Sequence, residues 1–238
     1  MGKRLFKKVK YLLNCFIDII FPPAHTCVLC GRKLENRSKY ILCTACLTQF
    51  ESLKLNDFMN FYMPNKEVYK YCDSVSYAFE YRGIVCDMVR NLKYEDKKEY
   101  ASAMALMIED EIKSTHRKYD IIVNVPSYNK KKKERGYNQS QLLAVELSNI
   151  TNIPYKNLLI KIKDTKSQVL CDGYIRWYNV KDAFECRENL KGESILIVDD
   201  VITTGATVYY CAKALKEAGA GYVGAASFAK TNIDKKAY

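Results

Sequence analysis

The run Ile195-Leu196-Ile197-Val198-Asp199-Asp200-Val201-Ile202-Thr203-Thr204-Gly205-Ala206-Thr207 constrains this chain more than any other segment. A short apolar stretch of this kind reads as a buried strand, and two acids come directly after it. A strand of a parallel sheet delivers its next residues to the carboxyl edge, where ligands bind in open α/β folds. Gly205 permits a close backbone approach or an unusual dihedral angle. The amides of residues 203–207 open a helix, and the positive end of a helix suits a phosphate group. Thr203, Thr204 and Thr207 add hydroxyl donors beside Ala206. Asp199 and Asp200 can accept hydrogen bonds from vicinal ribose hydroxyls and can help hold a hydrated magnesium ion. The segment therefore reads as a site for a 5-phosphorylated ribose. The absence of a Gly-Lys-Ser/Thr triplet sets it apart from a nucleotide P-loop.

The surrounding chain supplies the sheet that such a loop needs. Strands are expected at 74–81, 120–125, 194–198 and 222–228, and helices at 84–93, 100–113, 139–150 and 205–218. Alternation of the two predicts a parallel sheet with helices on its faces. Residues 130–135 are a basic, exposed loop. Residues 161–183 are polar and aromatic without a strong period, and read as a loop or hood. Four parts result: a basic amphipathic helix in 1–22, a four-cysteine module in 23–52, a connector in 53–73 and an α/β domain in 74–238.

Within the first part, Leu5, Phe6, Val9, Leu12, Leu13, Phe16, Ile17 and Ile20 keep the helical period over 3–20. That helix either packs on the rest of the protein or lies on a membrane surface. Its apolar run is interrupted by Asn14 and Asp18, so neither a cleavable signal peptide nor a membrane span is expected. The reading is a cytoplasmic protein, placed at the inner face of the membrane if the helix lies on it.

Ten cysteines are many for 238 residues. Four fall in two Cys-x2-Cys pairs, Cys27 with Cys30 and Cys43 with Cys46. This spacing suits tetrahedral zinc. Four thiolates leave no position open for water, so the expected role is structural. In a reducing cytoplasm paired cysteines favour a metal over disulfides. Cys15, Cys72, Cys86, Cys171, Cys186 and Cys211 read as small buried hydrophobes.

The motifs come in a definite order. After the cysteine pairs stand Tyr81-Arg82-Gly83, Leu92-Lys93-Tyr94, Val125-Pro126 and Arg135-Gly136-Tyr137-Asn138-Gln139. Thr165, Gln168, Arg176 and Asn179 then precede Phe184 and the Asp-Asp loop. The loop resembles the phosphoribosyl pyrophosphate motif of type I phosphoribosyltransferases, and the whole order resembles the ComF family of competence-associated proteins. The resemblance implies an α/β fold: a type I phosphoribosyltransferase-like parallel sheet flanked by helices, preceded by a small zinc-ribbon-like module and the amphipathic helix. It implies phosphoribosyl pyrophosphate with magnesium as ligand. Asp199 and Asp200 would meet the ribose hydroxyls, and residues 203–207 would cradle the 5-phosphate. The segment after Pro126 would lie at the pyrophosphate, and 161–183 would form a mobile hood.

Phosphoribosyl transfer begins with departure of pyrophosphate from C1, so cations near the leaving group matter. Arg135, Arg176, Lys163 and Lys133 are the candidates. The acceptor is not legible, which leaves turnover open. A second reading comes from the net charge of +11, which favours an anionic partner. It is a single-stranded DNA-binding accessory protein with a non-catalytic transferase site, working with other competence proteins. Residues 130–135 and the cluster Tyr174, Arg176, Trp177 and Tyr178 could grip a strand by charge and stacking. The plain alternative for that cluster is packing within the hood.

Overall fold

The computed structural model of the protein describes residues 26–34, 38–54, 66–94, 99–127, 137–163 and 177–231. The chain divides into two compact units, 1–47 and 48–238. The helix α1 (Thr44–Glu51) runs across that division.

The larger unit is built on a four-stranded sheet. Its strands are β1 (Ser74–Glu80), β2 (Ile121–Asn124), β5 (Ser194–Ile202) and β6 (Tyr222–Lys230), in the order β1-β6-β5-β2. All three pairings are parallel. β5 is central, pairing with β2 through Val198 and with β6 as far as Ile202. A parallel sheet must be covered on both faces, which explains the continuous apolar run that β5 carries. One face holds Val75, Tyr77, Val123, Ile195, Ile197 and Val223 in a cluster with Val208, Cys211 and Leu215 of α5 (Ala206–Glu217). Buried residues of α3 (Tyr100–Ser114) and α4 (Gln139–Thr151), such as Met104, Ile108, Leu143 and Leu147, lie outside this cluster and cover the opposite face. The helix α2 (Ile84–Tyr94) leads from β1 toward α3.

The strands and helices expected between 74 and 228 are present within a few residues at each end. Four further elements carry no clear sequence signal. Residues Lys66–Lys70, inside the stretch read as a connector, form a 3-10 helix that buries Val68. β3 (Leu159–Lys161) and β4 (Phe184–Cys186) form an antiparallel pair at the two ends of the segment read as loop or hood. Strands of three residues are too short to show a period, so only the fold reveals them. α1 is the fourth.

Two helix ends are closed by local chemistry. Asn138 caps α4, its Oδ1 accepting from the Ser140 amide at 3.1 Å. Asn152 ends the same helix in the left-handed conformation, at φ 60°. Among the described residues no helix is long and apolar enough to cross a membrane.

Candidate functional site: a carboxylate pair and an anion loop at the sheet edge

β5 continues four residues beyond the apolar run, so Asp199 and Asp200 lie within the strand rather than after it. Successive strand residues face opposite sides of a sheet. Asp199 shares its side with Ile195 and Ile197, and Asp200 shares its side with Leu196 and Val198. The two acids therefore meet different neighbours. Ser140, at the start of α4, donates its hydroxyl to Asp199 Oδ1 at 2.7 Å, and the Asp200 amide donates to the same oxygen at 2.9 Å. Asp200 is only 6% exposed and forms an ion pair with Lys93, from Oδ2 to Nζ, at 2.6 Å. Its Oδ1 accepts from the Val201 amide at 2.7 Å.

Burial raises the Asp199 carboxyl to about 7, and the neighbouring Asp200 charge adds to that rise. Ser140 and Lys93 act in the other direction. Burial alone would make Lys93 less basic, but its contact with Asp200 holds its pKa above the usual value. The site is thus a pair of adjacent acids stabilised from two sides, by a hydroxyl and by an ammonium group.

Thr203, Thr204 and Gly205 make the turn out of β5. Gly205 sits at φ 79° as the N-cap of α5, a conformation costly for any residue with a Cβ. Thr204 is buried and its Oγ1 accepts from the Ala206 amide at 3.4 Å. Ala206 and Thr207 open α5, so the loop delivers a helix N-terminus beside the carboxylates. A phosphate placed there meets backbone N–H groups and the positive end of the helix.

The other candidate residues are dispersed. Lys163 lies just past β3, and its Nζ donates to the Lys181 carbonyl at 3.3 Å. It lines a groove with Asp182, Glu185, Tyr210 and Lys213, a set without either acid of the pair. Arg135, Arg176, Lys133 and Tyr174 lie outside the described residues, as does the helix expected over 3–20. Trp177 packs against Tyr209 and Tyr210 of α5, with ring centroids 5.0 and 6.2 Å apart. Tyr178 beside it is 81% exposed. Two residues of the site had no role assigned from sequence. Lys93 belongs to the Leu92-Lys93-Tyr94 motif, which does not say what its ammonium meets. Ser140 has no motif of its own, and its one signal is its place directly after Asn138-Gln139.

The four paired cysteines converge in the smaller unit. The sulfur atoms of Cys27, Cys30, Cys43 and Cys46 all lie within 4.8 Å of one another, and Cys30 and Cys43 are 3.7 Å apart. Each pair is shaped by a local turn: the Gly31 amide donates to the Cys27 carbonyl at 2.9 Å, and the Leu47 amide to the Cys43 carbonyl at 2.9 Å. Burial opposes ionisation of Cys27, but N–H groups of Cys30, Cys43 and Leu29 outweigh it and bring the thiol down to about 6. Burial and the other three sulfurs push Cys46 up. Four thiols crowded in this way cannot all ionise unless a cation sits among them, so the donor set fits a metal ion.

Comparison with known proteins gives these features a context. The phosphoribosyl transferase domain family model matches residues 130–237, which include the Asp-Asp strand and its loop. The DNA utilization protein YhgH of Salmonella typhi is 32% identical over 142 residues, covering 57% of this chain. Competence protein F of Haemophilus influenzae is 31% identical over 142 residues, covering 56% of this chain and 62% of that protein. Competence protein ComFC of Bacillus subtilis is 27% identical over 205 residues, covering 82% of this chain and 73% of that protein. The chain spans 63% of the length of the Salmonella relative. The parallel sheet, the four-cysteine cluster and these relatives support a ComF-family, phosphoribosyltransferase-like protein.

Proposed function

We propose that this protein binds phosphoribosyl pyrophosphate with magnesium and acts in natural competence, in the uptake and handling of DNA. The observation that carries the ligand is the juxtaposition of the Asp199–Asp200 pair with the helix N-terminus opened by Gly205. The N–H groups of residues 203–207 take the 5-phosphate, and the carboxylate pair takes the ribose hydroxyls. Asp199 and Asp200 are the residues that would hold a hydrated magnesium ion, whose chemistry is to neutralise pyrophosphate charge. Arg135, Arg176 and Lys163 are assigned to the leaving pyrophosphate. For Lys163 this requires it to release the Lys181 carbonyl. The names of the relatives, DNA utilization protein and competence proteins, support the biological setting.

The four cysteines are assigned to a structural zinc ion, since thiolate ligands at this spacing favour it. The protein is assigned to the cytoplasm, and to the inner face of the membrane only if its first segment forms a helix that lies on that surface rather than packing on the protein.

Calorimetric titration with phosphoribosyl pyrophosphate, with and without magnesium, tests the ligand. The zinc-loaded protein should bind in a magnesium-dependent way, and Asp199→Asn/Asp200→Asn should lose the binding. A folded wild type that does not bind overturns the assignment. Release of pyrophosphate in the presence of a candidate acceptor would then establish transfer: the C1–oxygen bond breaks with its electron pair leaving on pyrophosphate, and an acceptor atom bonds to C1.

The second reading is a single-stranded DNA-binding protein whose transferase site is non-catalytic. The exposed ring of Tyr178 and the net charge of +11 favour it. Binding to an oligonucleotide that weakens steeply with salt, and persists in the Asp199→Asn/Asp200→Asn variant, would support it.

A further inference from the structure

Away from the carboxylate pair, the outer face of α5 carries a cluster of rings to which the phosphoribosyl reading gives no role. Tyr209 is its centre. Centroid to centroid, Tyr210 lies 4.8 Å from it, Trp177 5.0 Å and Tyr71 5.2 Å. Trp177 also meets Tyr210 at 6.2 Å. The pairs are tilted or edge-to-face, arrangements that aromatic rings prefer. The rings come from three parts of the chain: Tyr71 directly follows the 3-10 helix, Tyr209 and Tyr210 stand in the first two turns of α5, and Trp177 belongs to the segment read as hood.

All four rings are half-buried. Packing explains part of the cluster, since Tyr71, Trp177 and Tyr210 lean on the core beneath α5. It does not explain Tyr178, whose ring is 81% exposed beside Trp177. Cations are interleaved with the rings. The Lys70 ammonium stands 5.6 Å from the centroid of Tyr71. Lys66, Lys70 and Lys181 are exposed, with Glu67 the acid beside the first two. Asp182 and Glu217 are paired with Lys213, at 3.3 and 3.8 Å. The cluster also adjoins the anion loop: the Tyr209 amide donates to the Gly205 carbonyl at 2.9 Å, so the central ring stands one turn from the residue that opens that loop.

We propose that this ring cluster, with Tyr178 at its open margin, is a stacking surface for the unpaired bases of a single-stranded nucleic acid. This rests on the second reading, single-strand binding, and gives that reading a place on the outer face of α5. Every base has a flat face that stacks on tyrosine or tryptophan whatever its identity, and the phosphates between bases meet the lysines. The mixture favours a strand over an apolar partner, because rings interleaved with cations are the pattern of sequence-tolerant single-strand binding. Tyr209 underpins the platform, and Tyr178 and Trp177 meet the bases.

Trp177 is the one tryptophan of the chain, so its emission reports on this cluster alone. The full zinc-loaded chain is titrated at low salt with a short oligothymidylate and with an abasic strand of equal length, which has the same phosphates and no bases. Oligothymidylate should quench Trp177 to saturation. The abasic strand should bind about fivefold more weakly or worse and leave the emission unchanged. Tyr178→Ala should weaken oligothymidylate binding about fivefold or more, the range of one stacked base. Its affinity for the abasic strand should stay that of wild type, and Tyr178→Phe should keep both affinities. An exposed ring of this kind is removed without loss of the fold.

Equal affinity of wild type for the two strands overturns the proposal, since charge alone then holds the strand. So does a Tyr178→Ala variant that binds oligothymidylate as wild type does, or binding that leaves Trp177 emission unchanged. In each of these cases single-strand binding survives and only its place on α5 is lost. An emission shift with phosphatidylserine vesicles and none with oligothymidylate makes the surface a lipid-binding one, and also overturns it. A wild type that binds neither strand at low salt removes the second reading together with this inference, while phosphoribosyl pyrophosphate binding stands or falls on its own titration.

Discussion

Asp199 carries a carboxyl whose proton is held to about pH 7 by burial and by the charge of Asp200. In the unfolded chain an aspartate loses that proton near pH 4. The folded pKa is raised, so the stability contributed by this group is full below about pH 4 and is lost as pH rises through about 7. Denaturant titrations of the metal-loaded protein at pH 5 and pH 8 check this. Wild type should lose stability relative to Asp199→Asn over that interval. Ligand binding runs the opposite way: an ionised Asp199 is the better hydroxyl acceptor, so affinity should rise over the same range. Lys93 and Asp200 form a pair with little exposure, at 23% and 9% of their side chains. Removing one partner of such a pair leaves a buried charge, and Lys93→Met should cost ~3 kcal/mol of stability by the same titration. Replacing both, as Lys93→Met/Asp200→Leu, should return most of it.

At the level of elements, the junction of β5 with α5 does the positioning. β5 must run to Ile202 to put the acids in the sheet edge, and the chain must then reverse into a helix within three residues. The left-handed Gly205 makes that possible. Gly205→Ala should cost ~1–2 kcal/mol, the strain of a Cβ in that region, and should weaken binding of the phosphorylated ligand more than tenfold as the loop amides shift. Thermal denaturation and calorimetry read the two effects separately. α5 also carries Tyr209 and Tyr210, on which Trp177 packs. The helix that opens the anion loop therefore also anchors the residue next to Tyr178, the exposed ring assigned to stacking in the second reading.

On the scale of the molecule, the two units rest on different physics. The larger one has a two-faced sheet with an extensive apolar core. In the smaller one the buried apolar residues among those described are Cys27, Leu42 and Cys46. A core of that size does not hold a fold by itself, and a metal ion held by the four cysteines would supply the difference. Treating the full chain with a strong chelator should abolish hydrogen-exchange protection in the described part of 1–47. Protection in β5 and β6 should remain. Cys43→Ser should give the same pattern without chelator. Loss of protection throughout the chain would show that the larger unit depends on the metal as well.

How much of this is legible in the sequence depends on how local the cause is. The strand–acid–loop–helix order of residues 195–207 carries its own signals: continuous apolar residues for a buried strand, glycine for the left-handed turn, threonines and amides for an anion. The Cys-x2-Cys pairs likewise announce a metal site, because ligand spacing is a property of the chain. The polar segment 161–183 has no period, so the three-residue strands at either end leave no mark in it. Relations between residues far apart in sequence are decided only by folding. Lys93 stands 107 residues before Asp200 and Ser140 stands 59 before Asp199. Nothing in either residue's neighbourhood says which acid it will meet. That assignment comes from the alternation of side chains along β5 and from the joining of α2 to α4 through Tyr137, and both exist only once the sheet and its helices have packed. The sequence by itself determined that a carboxylate pair and a glycine turn into a helix would sit at one sheet edge. The tertiary structure decided that one carboxylate would meet an ammonium group and the other a hydroxyl.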